Sequence, residues 1–87
     1  MLQTVGRKPK KETPVFNRLE SVRESRGLSR TELAELADVH YQTIGYIERG
    51  EYSPSLPLAL LLARILRTDV HEIFSLHPFT KRKDRES

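Results

Sequence analysis

Three histidines, His40, His71 and His77, are the side chains most able to hold a metal, and no two of them stand at HxH or HxxxH spacing. The chain has no cysteine, which removes thiolate zinc sites, disulfides and a cysteine nucleophile. Serine, histidine and aspartate are present without a nucleophile elbow, and there is no glycine-rich phosphate loop. Glu32 and Glu35 are paired carboxylates on a predicted helix, where solvated carboxylates are the rule. The expectation is a protein that is not an enzyme and holds no metal or cofactor. What remains is a chemistry of recognition. In Tyr41-Gln42-Thr43-Ile44-Gly45-Tyr46-Ile47, positions 41, 42, 45 and 46 share one helical face, with Ile44 and Ile47 opposite. Glutamine can bond adenine N6 and N7 together, and tyrosine can touch a thymine methyl or donate to a phosphate.

The distribution of charge supports a polyanionic partner. The 87 residues carry a formal +3, but residues 1–16 hold +3, residues 17–76 hold −2 and residues 77–87 hold +2. The basic excess is in the tails, and every basic residue of the middle is arginine, which suits paired or phosphate contact. The segment Gly6–Pro14, with Arg7, Lys8, Lys10 and Lys11, has two prolines and no periodicity and reads as a disordered arm. It is either a solvated tail or a polybasic arm lying on DNA. Lys81–Ser87 reads similarly. Apolar residues make up 37% of the chain, and Leu58–Ala63 is the longest apolar run, far short of the roughly 20 residues of a membrane span. Met1–Glu12 has no apolar core of a secretory signal. A cytoplasmic, nucleoid-associated protein is expected, with no membrane and no small-molecule ligand.

The elements that must carry the polar face are short helices. Asn17-Arg18-Leu19-Glu20, Ser29-Arg30-Thr31-Glu32 and Asp69-Val70-His71-Glu72 have the form of capping boxes. Gly27 and Gly50 are helix stops, and Ser55 with Pro57 opens a fourth helix running to about Arg67. The helix beginning at Asp69 runs through Ile73 and Phe74. No stretch alternates with period two, so no strand is predicted. The domains are a disordered arm over 1–15, a compact all-α domain over 16–76, and a C-terminal segment over 77–87. The second and third helices are three or four residues apart, with Ala34 and Ala37 where two axes must approach. That is the helix-turn-helix signature, which sets the second helix into the major groove.

Residues 17–74 resemble the Cro/cI-repressor type of helix-turn-helix domain, also called the XRE family. The resemblance is carried by Asn17-Arg18-Leu19, Arg23-Glu24-Ser25-Arg26-Gly27-Leu28-Ser29, Glu32-Leu33-Ala34, Gln42-Thr43-Ile44, Ile47-Glu48-Arg49-Gly50, Ser53-Pro54-Ser55-Leu56 and Glu72-Ile73-Phe74. It implies a five-helix, lambda-repressor-like fold. It implies base contacts from Tyr41, Gln42, Gly45 and Tyr46, and phosphate contacts from Ser29, Arg30, His40, Thr43 and Arg49. Arg30 stands where the family often has glutamine and should reach a phosphate or a guanine. His40 stands at a cap usually given to serine or threonine and should contact a phosphate. Arg23 and Glu48 match the positions of a partly buried ion pair in the family. Leu61 and Ile65 fall where relatives carry lysine and alanine on the outer face of helix four. With Leu76 and Phe79 they point to a homodimer interface, the alternative being that Leu76–Phe79 folds back on its own domain.

The function implied is a sequence-specific, double-stranded DNA-binding transcriptional regulator, a repressor acting as a homodimer on a near-palindromic operator. The alternatives are the antitoxin and autoregulator of a toxin–antitoxin pair, or a protein-interaction adaptor using the same fold.

Overall fold

A computed structural model describes residues 14–79. It contains four α-helices: α1 (Leu19–Ser25), α2 (Arg30–Ala37), α3 (Tyr41–Glu48) and α4 (Leu56–Ile65). A single 3-10 turn, Val70–Glu72, follows them. Two short strands, β1 (Phe16–Asn17) and β2 (Phe74–Ser75), pair antiparallel with Phe16 opposite Ser75 and Asn17 opposite Phe74. The basic arm with Arg7, Lys8, Lys10 and Lys11 lies outside the described residues, as does Lys81–Ser87.

Local signals account for most helix ends. At α2 the Ser29 Oγ accepts from the Glu32 amide at 3.0 Å, and the Glu32 carboxylate accepts from the Ser29 amide at 2.8 Å. These bonds satisfy donors that the first turn leaves unpaired. The α2 chain then turns sharply because Asp38 takes a left-handed conformation (φ 59°), one that aspartate tolerates better than most residues. Gly27 and Gly50, with φ of 73° and 77°, stop α1 and α3 as the sequence indicates. Ser55 caps α4 by accepting from the Leu58 amide at 3.2 Å. That helix ends at Ile65, short of Arg67, which takes the left-handed conformation.

One core unites these elements. Leu19 of α1, Leu33, Ala34 and Ala37 of α2, Ile44 and Ile47 of α3, and Leu62 and Ala63 of α4 are buried together with Leu66 and Ile73. The two alanines lie where α2 meets α3, the most extensive helix–helix contact of the fold, and keep the axes close.

Five expectations are corrected. The chain has strands, each only two residues long and too short to show alternation. The fifth helix is one 3-10 turn. A continuing helix would use the carbonyls of Glu72 and Ile73 for amides four residues on. Here the Arg18 Nε donates to the Glu72 carbonyl at 2.7 Å and the Arg18 amide to that of Ile73 at 2.9 Å, so the chain peels into β2. Asp69 makes no side-chain cap. Asn17 is not the α1 cap residue either: Arg18 holds that position, and Asn17 belongs to β1. Finally, Leu61 and Ile65 do not face outward. They pack half-buried on the core, because the buried stripe of α4 is broad, and the outward side chains are Leu56, Leu60 and Arg64.

Asn17 is the joint between the sheet and two helices. Its Oδ1 accepts from the Leu19 amide and its Nδ2 donates to the Ile47 carbonyl, both at 2.9 Å. Asn17→Ala should lower unfolding stability by about 1–3 kcal/mol, two part-buried hydrogen bonds of ordinary worth. Asn17→Asp should do no better, since it sets a carboxylate oxygen against the Ile47 carbonyl. Urea denaturation of the three proteins checks this.

Candidate nucleic-acid interface

The link between α2 and α3 is three residues, Asp38-Val39-His40, so α3 leaves the turn with its first residues free of the body. Its amphipathic pattern fixes its rotation. Ile44 and Ile47 are fully buried, whereas Tyr41 is 56% and Tyr46 44% exposed. Gln42 is exposed between them. The four residues expected to meet bases, Tyr41, Gln42, Gly45 and Tyr46, line one open cleft of about 270 Å³ together with Arg30 and Arg49. Gly45 itself is buried in this single molecule, because the Arg49 guanidinium lies over it: a Cβ at Gly45 would come within 3.2 Å of Arg49 Nη1.

The residues expected at phosphates are spread around this cleft. Arg30 and Arg49 flank it, while Ser29 and His40 are exposed at the N-termini of α2 and α3. The Ser29 hydroxyl oxygen already serves the capping box, and the His40 side chain makes no cap bond. Thr43 is half-buried.

Glu48, the last residue of α3, ties that helix to α1 and α2. Its side chain is 1% exposed and accepts from Arg23 Nε at 2.6 Å and Nη2 at 3.3 Å. Arg23, itself 8% exposed, also donates from Nη1 to the Leu28 carbonyl at 2.8 Å. The expected Arg23–Glu48 pair is therefore present, with a third member that the sequence does not reveal. Arg30 Nε donates to Glu48 Oε1 at 2.8 Å. Glu48 holds the Arg30 guanidinium more firmly protonated than usual, by hydrogen bond first and charge second. Residues 18 apart on different helices carry no local signal of contact; only the crossing of α2 and α3 brings them together. Arg30 is thus anchored through Nε, with 40% of the side chain exposed, and it also lines the cleft.

The Arg18 guanidinium is held by the Glu72 carboxylate at 2.9 Å and sits 4.4 Å from the centroid of the Phe79 ring. Phe79 is therefore half-buried on its own domain, while Leu76 is 61% exposed. Among the described residues there is no cluster of potential metal ligands, and no helix is long and apolar enough to cross a membrane.

Comparison with known proteins agrees with this geometry. A family model described as helix-turn-helix matches residues 19–73. A protein of Archaeoglobus fulgidus named as an HTH-type transcriptional regulator is 35% identical over 57 residues, covering 66% of this chain and 81% of that one. A protein of Methanothermobacter thermautotrophicus with the same description is 49% identical over 55 residues, covering 62% and 80%. Among solved structures, the restriction-modification controller protein C.AhdI from Aeromonas hydrophila superposes with a TM-score of 0.59 at 35% identity, covering 62% of this chain and 82% of that one.

The network around Glu48 sets an order of sensitivity. Arg23→Ala leaves the buried carboxylate short of its closest partner and should cost about 3–5 kcal/mol, a large share of the stability of so small a domain. Arg30→Ala removes a partly exposed, solvent-screened partner while Arg23 stays, and should cost much less. Thermal denaturation of both variants measures the difference, and equal losses would contradict the ranking.

Proposed function

Because the chain belongs to the Cro/cI-repressor (XRE) type of the helix-turn-helix family, and so is a transcriptional regulator with a DNA-binding fold, we propose that it reads a specific double-stranded sequence through α3. The observation that carries this reading is the open cleft along the polar face of α3. There an exposed Gln42 stands between two tyrosines, flanked by two arginines, on a helix whose opposite face is locked into the core. A helix so held presents its side chains without prior rearrangement, and the major groove admits one helix. In this reading Gln42 bonds an adenine edge and Tyr41 and Tyr46 meet thymine methyls or phosphates. The Arg30 terminal nitrogens, the His40 ring and the Ser29 and Thr43 region meet the backbone. Arg7, Lys8, Lys10 and Lys11 add sequence-independent attraction along the phosphates.

The finer role is a repressor acting as a homodimer on a near-palindromic operator, with half-sites about one helical turn apart or a multiple of it. A second copy is supported by apolar side chains left in solvent in one molecule: Leu56 at 69%, Leu60 at 50% and Leu76 at 61% exposure. Leu76→Glu should shift the protein toward monomer in chromatography with light scattering. A wild type that is monomeric at high concentration removes the dimer.

DNA binding is tested by selecting bound sequences from a random pool. Gln42→Ala should cost about 1–3 kcal/mol on the selected site and relax specificity at one position. Deleting residues 1–12 should weaken binding evenly across sequences and flatten the slope of log affinity against log salt. Absence of DNA binding at low salt would favour a protein-interaction role for the same face.

A further inference from the structure

The two arginines of the cleft are held differently. Arg30 shares the carboxylate of Glu48 with Arg23, which also has Glu24 at 4.0 Å, so Arg30 has no carboxylate to itself. Arg49 has its own carboxylate: Nε and Nη2 donate to the two oxygens of Glu51, each at 3.3 Å. That pair is neutral. A phosphate brought to Arg49 would meet the Glu51 carboxylate at close range, whereas the O6 and N7 edge of a guanine carries no formal charge and meets no such repulsion.

Geometry agrees with charge. Arg49 follows Gln42 and Tyr46 along one face of α3, at seven and three residues on. Its guanidinium lies across the helix over Gly45, where a side chain would crowd Nη1, and 5.3 Å from the centroid of the Tyr46 ring. Glu51 and Tyr46 both contact the guanidinium and bias its orientation. Among the described residues no acceptor takes Nη1, which leaves the Nη1–Nη2 edge available to a base.

We propose that Arg49 reads a guanine through this edge, as a specificity-determining residue rather than the phosphate contact its position in the sequence suggests, and that Gly45 and Glu51 position it. This inference rests on the DNA-binding reading above. Arginine bidentate to guanine O6 and N7 is the commonest base-specific pairing in the major groove, and it needs a guanidinium fork that lysine lacks.

The test compares full-length wild type, Arg49→Lys and Gly45→Ala by pool selection, followed by competition titration on sites differing at single base pairs. Wild type should prefer guanine by about tenfold or more at one position of each half-site. In Arg49→Lys that preference should fall to within about twofold, while the positions read by Gln42 and the salt slope stay unchanged. Gly45→Ala keeps both charges and suits a helix interior, but its Cβ crowds Nη1; it should weaken the preference at the same position without abolishing it. Thermal midpoints taken alongside separate a reading role from a structural one, and all three should agree within a few degrees. An Arg49→Lys protein that selects the same sequence, or that binds every sequence equally more weakly, overturns the proposal. So does a wild type whose site depends on Gln42 but contains no guanine sensitive to residue 49. A wild type that selects no sequence overturns the DNA-binding reading itself.

Discussion

Glu48 ends α3 with a carboxylate that is almost wholly withdrawn from water, and a charge in that position requires charge and hydrogen bonds around it. Arg23 brings them from α1 and Arg30 from α2, so three helices converge on one side chain. The consequence is geometric more than energetic. A buried ion cluster of this kind is weak evidence of net stabilisation, because desolvating three charges offsets much of the attraction. What it supplies is direction: nitrogen donors from two helices meet two oxygens at fixed points. α3 therefore has little freedom to roll, and the face with Gln42 keeps its aim.

The same domain is tied at its ends by a second set of arginine contacts. Arg18 spans from the start of α1 to the segment beyond the 3-10 turn, through the Glu72 carbonyl, the Glu72 carboxylate and the Phe79 ring. Arg26 donates to the Leu66 carbonyl at 2.6 Å, closing an acceptor that the end of α4 leaves open. A core of ten buried apolar residues is small, and these long side chains hold segments that it does not reach. In the middle of this chain arginine serves as internal fastening as much as for an outside partner. This explains how the middle can be net acidic while its arginines remain functionally prominent.

Much of this was legible from residues alone because it is local. Capping at Ser29 and Ser55, the stops at Gly27 and Gly50, and the inward set Ile44 and Ile47 each depend on neighbours within a turn or two, and the chain follows them. Local signals failed where a distant group intervenes. Asn17 is drawn into β1, its Oδ1 still accepting from the Leu19 amide while its Nδ2 reaches the Ile47 carbonyl 30 residues away, and the turn after Asp69 is cut short by Arg18. Leu61 and Ile65 illustrate a different failure, since the width of a buried stripe depends on what packs against it.

The sequence by itself determined four helix cores, the caps of α2 and α4, the short turn between α2 and α3, and which face of α3 is polar, because hydrophobic periodicity and side-chain capping act over a few residues. Only the tertiary structure decided that Arg30 would share Glu48 with Arg23, that Phe16–Asn17 and Phe74–Ser75 would pair as strands, and that the Arg49 guanidinium would lie over Gly45 beside Glu51. The first two join groups far apart in sequence, whose meeting depends on helix crossing and on the path of the segments that flank the helices. The last joins near neighbours, but the direction taken by a long side chain at a helix end depends on the folded surface it lies against.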